Sequence, residues 1–181
     1  MAKAGDVIRN PLTGEAVTFL VTSADSNGEL LRVEMVAEPG AAGATEHLHP
    51  KLTESYDMQE GSLHVRLRGM LNVVEAGERF EFPRGAPHSF RNPEDVPARV
   101  VVEYRPAGGF EAFMETVYAL ARDGKTNAQG RPNLLQSAVI GRAHLDDFAL
   151  ASPPVWVQRV FFALLAPIGR LFGYRARYPA S

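Results

Sequence analysis

Cysteine is absent from the 181-residue chain, which excludes disulfide bonds, thiolate metal ligands and cysteine nucleophiles. A surplus of basic charge is also missing. The 19 Lys and Arg residues face 21 Asp and Glu residues, for a formal net charge of −2, so binding to nucleic acid is not expected. The first residues, Met-Ala-Lys-Ala-Gly-Asp, lack the apolar run of a signal peptide, so a cytoplasmic location is expected.

What is present is the composition of a folded globular protein, with 45% apolar and 22% charged residues. A chain of this length can bury roughly 70% of its unfolded surface. Short apolar runs separated by turn residues precede Pro106, and helical periodicity follows it. The sequence therefore predicts a β domain at residues 1–106 and a helical extension at residues 107–181, which packs on the β domain or on a partner subunit.

The first part of the chain has the pattern of short antiparallel strands. Residues 15–23 and 29–38 flank an Asn27-Gly28 pair, which indicates a β-hairpin. In the second run, every other residue is apolar, which predicts one buried face: Leu31, Val33 and Met35. Further strands are expected at 44–49, 54–60, 62–68, 70–75, 79–82, 87–91 and 98–105. Many short strands with regular turns are typical of a sandwich or barrel.

The second part of the chain has three helical patterns. Apolar residues recur at helical spacing over residues 110–122. Asn133 is a candidate cap for a helix over residues 134–148. A third helix, over residues 155–166, carries large apolar side chains on much of its surface.

The third helix is too short to span a membrane. Arg159 and Arg170 bracket only ten residues, and Pro167 lies between them, whereas a span needs about 20 mostly apolar residues. An interfacial membrane helix, packing on the β domain and packing on a second subunit remain as alternatives. Its apolar surface favours a homodimer.

Three histidines and one glutamate form a candidate metal site. His47 and His49 are two residues apart on a predicted strand, so both rings point to the same side of the sheet. Glu54 follows a short turn, and His88 follows a stiff Pro- and Gly-containing turn. Three imidazoles and one carboxylate suit one divalent transition metal: Fe, Mn, Ni, Co, Cu or Zn. The alternative is that each histidine is a hydrogen-bonded core residue, but three converging imidazoles are costly to satisfy without a metal.

The spacing of these residues resembles the two signature motifs of the cupin superfamily, and in particular its small single-domain members. The match covers residues 30–105, and Ala41 stands where the first motif begins with glycine. The first motif is carried by His47, His49, Glu54 and Gly61, and the second by Gly77, Pro83, Gly85, His88 and Asn92. The resemblance implies a mainly β fold, an antiparallel jelly-roll (double-stranded β-helix) barrel. It also implies that His47, His49, Glu54 and His88 hold the metal.

Strand alternation predicts the surroundings of the metal. Side chains two residues apart on a strand point to the same face of the sheet. Counting in this way from the proposed ligands and along the neighbouring strands predicts a substrate pocket lined by Tyr56, Met58, Phe82, Phe90 and Tyr104. No second carboxylate is expected on the inner face. Glu54 is therefore the candidate catalytic base, and the alternatives are a metal-bound hydroxide or a residue that the spacing does not reveal.

The resemblance extends to quercetinase-like and polyketide-associated cupins. It implies a metal-dependent dioxygenase acting on a small aromatic or enolic metabolite, with an isomerase or cyclase as the alternative enzyme. A non-catalytic small-molecule-binding module is the other hypothesis, and a storage protein is the least favoured. His144, Asp146 and Asp147 are interpreted as a solvated helix face. Truncation after Arg105 is expected to leave metal affinity similar.

Overall fold

The computed structural model describes residues 2–178, and within them the chain folds into a mainly β part followed by helices. The strands are β1 (Val7–Asn10), β2 (Glu15–Val21), β3 (Leu31–Ala37), β4 (His47–Leu48), β5 (Thr53–Glu60), β6 (Ser62–Leu67), β7 (Met70–Glu75), β8 (Arg79–Phe82), β9 (His88–Arg91), β10 (Ala98–Arg105) and β11 (Ala149–Leu150). The helices are α1 (Phe110–Arg122), α2 (Leu134–His144) and α3 (Val155–Leu171).

The strands form two antiparallel sheets that enclose one apolar core. One sheet has the order β1-β2-β3-β10-β5-β8, and the other has the order β11-β4-β9-β6-β7. Buried residues of both sheets, such as Phe19 and Val65, belong to the same cluster. This architecture fits the predicted jelly roll with a C-terminal helical extension. Over the described residues the sheets stay separate, without a hydrogen-bonded ladder that closes them into one barrel.

The Asn27-Gly28 hairpin is confirmed. Both residues have positive φ, 51° and 82°, within the loop of residues 22–30 that joins the two strands, and glycine adopts such angles without a steric penalty. The turn joins β2 to β3, and these strands pair antiparallel. The side chains that alternate inward from β3 are buried, as predicted: Leu31, Val33 and Met35.

Strand register brings the candidate metal ligands together. His47 on β4 lies opposite His88 on β9 in one sheet. In the other sheet, Glu54 on β5 lies opposite Tyr104 on β10. Because both sheets turn these faces toward the common core, ligands from four chain positions meet between them.

The C-terminal extension contains a strand that the sequence did not reveal. α1 begins at Phe110, and the Asn133 side chain caps α2 by accepting a hydrogen bond from the Gln136 amide. The chain then returns to the β part, where β11 pairs with β4. The extension therefore adds an edge strand to one sheet. The division into domains at residues 106 and 107 stays a prediction.

α3 is longer than predicted, because it continues through Pro167 to Leu171. Proline lacks an N–H group and so leaves the carbonyl of Ala163 without its helical donor. Ala163 and Pro167 are both exposed, so water can satisfy that carbonyl. Gly169 packs closely on α2, since a Cβ there would lie 2.7 Å from a Val139 methyl carbon.

The outer face of α3 carries large exposed apolar side chains. This face comprises Trp156, Val160, Leu164, Ile168 and Leu171, which are 44 to 87% exposed. No helix within residues 2–178 is long and apolar enough to cross a lipid bilayer.

Candidate metal centre

The four predicted ligands converge in the interior. His47, His49, Glu54 and His88 are each at most 7% exposed. One side-chain ligand atom from each lies within 4.8 Å of those of the other three. Such a group of buried polar atoms is costly unless it is satisfied by hydrogen bonds or by a metal ion.

Backbone carbonyls fix the tautomer of all three imidazoles. The Nδ1 atoms of His47, His49 and His88 lie 3.0, 2.6 and 2.9 Å from the carbonyl oxygens of Thr45, Asp147 and Ala86. A carbonyl oxygen only accepts, so each Nδ1 is the donor. Each Nε2 is then free to bind a metal, and the hydrogen bond from the other ring nitrogen is typical of metal-ligating histidines.

The contacts of Glu54 fit a shared ion. Its Oε2 atom lies 3.2 Å from His49 Nε2 and 2.8 Å from His88 Nε2. His88 Nε2 is buried and nevertheless has no hydrogen bond of acceptable orientation. His88 Nε2 is thus close to the Glu54 carboxylate without being oriented for a hydrogen bond to it. This geometry is expected when both groups point to the same metal ion. The donor set, three imidazoles and a carboxylate, is one that Fe, Mn, Ni, Co, Cu and Zn all accept.

Metal binding needs neutral imidazoles and an ionised carboxylate; the pKa shifts of Glu54 and His47 suit it, whereas that of His88 opposes it. Burial favours a raised pKa for Glu54, but the close contacts and charge of His49 and His88 outweigh it and hold the pKa well below its usual range. Burial, helped by the neighbouring imidazoles, lowers the pKa of His47 to about 3. Burial also acts to lower the pKa of His88, but its contact with Glu54 raises it overall.

The C-terminal extension completes this site. The carbonyl that accepts from His49 belongs to Asp147, 98 residues further along the chain. The Phe148 ring stacks on His47 with 4.7 Å between ring centroids. β11 then pairs with the strand that carries His47. The extension thus holds two of the three histidines in place.

Two expectations change in consequence. Interpreting His144 and Asp147 as a solvated face was wrong, since His144 is 6% exposed and lines the same cavity as the cluster. Truncation after Arg105 is now expected to weaken metal binding, and not to leave it similar. His49 would lose its hydrogen-bond acceptor, and His47 would lose its stacking partner.

Asp147→Ala is expected to weaken metal binding about 10-fold, the lower end of what loss of an outer-shell partner causes. The Asp147 carboxylate accepts a hydrogen bond from the Gly109 amide at 3.0 Å, and this anchors the turn that presents its carbonyl to His49. Competition with a chromophoric chelator measures the affinity. Asp146→Ala is the matched control, since Asp146 contacts the exposed side chains of Lys51 and Arg159. Equal affinities for the two variants would contradict the proposed anchoring.

The cluster opens on an apolar cavity of about 690 Å³. Of the five predicted pocket residues, Tyr56, Phe90 and Tyr104 line it beside His47 and Glu54. The other two, Met58 and Phe82, do not. Met58 is buried in the core, and Phe82 stacks on His88 with 4.5 Å between ring centroids.

A second carboxylate lies in the cavity, and the expectation that none would was wrong. Glu15 lines the cavity and is 9% exposed. Burial raises its pKa to about 7. The signal was present in the sequence, since Glu15 is in step with Val17 and Phe19 on the inner face of β2.

Comparison with known proteins identifies the family. Residues 33–104 match the family model described as the cupin domain. An RmlC-like cupin from Shewanella frigidimarina superimposes with a TM-score of 0.50 at 23% identity, over 59% of this chain and 88% of that one. At this identity the likeness concerns the fold. Residues 33–104 of this chain are therefore a cupin domain.

Two relatives share more of the sequence. Oxalate oxidase GF-2.8 of Triticum aestivum is 34% identical over 114 residues, which is 58% of this chain and 50% of the relative. The tetracenomycin polyketide synthase protein TcmJ of Streptomyces glaucescens is 37% identical over 81 residues, which is 45% of this chain and 52% of the relative. The chain thus spans about half the length of these relatives.

Proposed function

We propose that this cupin binds one divalent transition metal through His47, His49, Glu54 and His88 and is a metal-dependent dioxygenase of a small aromatic or enolic metabolite. The observation that carries the proposal is the buried set of three imidazoles and one carboxylate that faces an apolar cavity of about 690 Å³. Such cavities hold small molecules whose few polar atoms are fixed by a few groups on the wall.

The cavity wall favours an uncharged ligand. Arg131 is the only Lys or Arg on the wall within the part of the chain that the structure describes, and it lies in the exposed loop after α1. Near the cluster the wall carries the ionised carboxylate of Glu54, which would repel a dicarboxylate. This argues against the substrate in the name of the wheat relative. An aromatic or enolic compound, the kind of molecule that polyketide synthesis produces, suits the wall better.

The residues of this chain would orient and protect such a ligand. A bound metal would polarise a carbonyl or enolate oxygen and, if redox-active, activate dioxygen. Burial raises the pKa of Tyr56 and Tyr104 well above the usual range, so both phenols stay protonated and can donate hydrogen bonds. The rings of Phe110, Phe113 and Phe148 cover the cluster on the side of the extension and exclude water.

Oxygen uptake tests this proposal. Protein loaded separately with iron, manganese and nickel is presented with a panel of flavonols and β-diketones in an oxygen electrode. Consumption of oxygen that depends on both metal and substrate, and that His88→Ala abolishes, is the expected result. Tight binding of a panel member without turnover would instead support the non-catalytic binding module.

Glu15 gives a specific reason to retain the isomerase or cyclase as the second candidate. Those reactions transfer protons, and a carboxyl whose pKa burial raises to about 7 is suited to accept and return a proton at neutral pH. Liquid chromatography and mass spectrometry measure whether a panel member is converted to an isomer. Such conversion without oxygen consumption would favour an isomerase or cyclase over the dioxygenase.

We also propose that a second copy of the chain covers the exposed face of α3. Apolar patches of this kind on one helix are typical of subunit interfaces. Light scattering is expected to give twice the chain mass of 19.8 kDa. Leu164→Glu places a charge in the middle of the face and is expected to yield monomers, whereas Arg175→Glu, beyond the end of the helix, is the control. A monomeric wild-type protein would contradict the proposal.

A further inference from the structure

We propose that Glu15 and Tyr118 form a second hydrogen-bonding site in the cavity, which binds an oxygen atom of the ligand at a place apart from the His/Glu cluster. The two residues come from different parts of the fold. Glu15 belongs to β2 of the sheet, and Tyr118 belongs to α1 of the C-terminal extension. Both line the cavity that the cluster faces.

Glu15 is a buried carboxyl group without a cationic partner. Its neighbours in steps of two along β2, Val17 and Phe19, are 2% and 0% exposed, so the carboxyl group stands on an apolar inner face. Among residues 2–178 no Lys, Arg or His forms an ion pair with Glu15. A buried acid of this kind is costly to ionise. Burial outweighs the stabilising interactions of Thr13 and Tyr118 with the charged form, so the pKa is raised to about 7.

Tyr118 provides the second polar atom. Its ring is 9% exposed and packs in the core cluster. Burial raises the pKa of the phenol well above its usual range, and interaction with Glu15 adds to the effect. The hydroxyl therefore keeps its proton. Because the two groups also interact with each other, a neutral carboxylic acid and a phenol side by side leave one O–H donor and several acceptors for a ligand oxygen.

This pair is separate from the metal cluster but shares its cavity. In the sheet, β3 and β10 lie between the strand of Glu15 and the strand of Glu54. The two carboxyl groups are still close enough for the charge on Glu54 to add to the raised pKa of Glu15. The wall between them is apolar and includes Val17, Val33 and Val102.

The arrangement defines a ligand class. It suits a molecule with a keto-enol group that chelates the metal, an apolar or aromatic body, and a separate hydroxyl or carbonyl oxygen that meets Glu15 and Tyr118. This description of the ligand rests on the proposed function, whereas the presence of a neutral acid in the cavity does not. The two parts are therefore tested separately.

The first test needs neither metal nor ligand. Infrared spectroscopy of the whole protein should show the carbonyl band of a protonated carboxylic acid at pH 6 that disappears as the pH is raised to 8. Glu15→Gln should remove this band, while the exposed control Glu81→Gln should leave it. If the wild-type protein shows no such band, or if Glu15→Gln retains it, the proposal is overturned whatever the protein binds.

The second test compares probes that differ by one hydroxyl group. Cobalt-loaded protein is titrated at pH 6.5 with benzoylacetone and with its 3- and 4-hydroxyphenyl derivatives. One hydroxylated probe is expected to bind about 10-fold more tightly, as one well-placed hydrogen bond allows. Glu15→Leu should abolish this preference and Tyr118→Phe should reduce it. The exposed control Glu81→Gln, on β8, should keep the preference and should leave both affinities and the cobalt content within about twofold of wild type, an allowance that corresponds to roughly 0.4 kcal/mol.

The outcomes separate the two proposals. If wild-type protein shows no preference, or if the preference survives Glu15→Leu, the second hydrogen-bonding site is refuted. If no diketone binds at all, the ligand class of the proposed function fails, and the infrared band alone decides whether the acid is present. If the band is found and the preference depends on Glu15, both parts stand.

Discussion

His88→Ala is expected to lose most of its bound metal and to remain folded. One of four ligands is removed, so affinity should fall by more than the roughly 10- to 100-fold that loss of an outer-shell partner causes. The fold should persist because the core is built from apolar residues of both sheets, and His88 lies at the start of β9. Elemental analysis after purification without added metal measures the loss, and circular dichroism checks the strand content.

His64→Ala is the matched control for this substitution. His64 lies in the same sheet, on β6, which pairs with β9. Its ring faces Glu94 at 3.5 Å and takes no part in the cluster. Its substitution should leave the metal content unchanged. Equal metal content in wild type and His88→Ala would refute both the proposed metal centre and the proposed function.

The parts of this fold that depend on neighbours in sequence could be predicted. The Asn27-Gly28 turn follows from the φ angles that these residues tolerate, and the burial of β3 follows from alternation of apolar residues. The ligand cluster is also encoded locally. His47 and His49 are two residues apart, and the turns before Glu54 and His88 have a recognisable spacing.

The contribution of the extension could not be predicted, because its chemistry leaves no trace in residue type. The acceptor for His49 is a backbone carbonyl, and every residue has one. β11 is two residues long, too short for any periodic pattern. What places both beside the cluster is the return of the chain after α2, a tertiary event between residues 98 positions apart.

Glu15 was missed for a different reason. Charged residues are rarely buried without a partner, so a strand that begins with glutamate is naturally assigned an exposed start. The structure shows the opposite, and the departure from the rule occurs in the cavity. Unpaired buried acids at such places are typical of functional sites, because the environment that makes them costly also tunes their pKa.

Glu15→Gln is expected to stabilise the protein at high pH and to have little effect at low pH. Burial raises the pKa of the carboxyl group from 4.5 to about 7. Below pH 4.5 the group is protonated in both folded and unfolded chains and contributes nothing. As the pH rises from 4.5 to 7, the unfolded chain ionises first, and stability falls by about 3 kcal/mol in total. The groups that face Glu15 from the packed elements are Tyr118 and Glu54, together with Tyr56.

Urea denaturation of the metal-free protein at pH 5 and pH 8 measures this difference. The amide introduced at position 15 cannot ionise, so the variant should gain about 2.5 kcal/mol over wild type between the two pH values. Glu81→Gln, on the exposed side of β8, should shift stability by no more than about 0.5 kcal/mol at either pH. A parallel pH profile for wild type and Glu15→Gln would mean that the carboxyl group is solvated. The cavity would then lack its neutral acid, and proton-transfer chemistry would have to rely on the metal ligands alone.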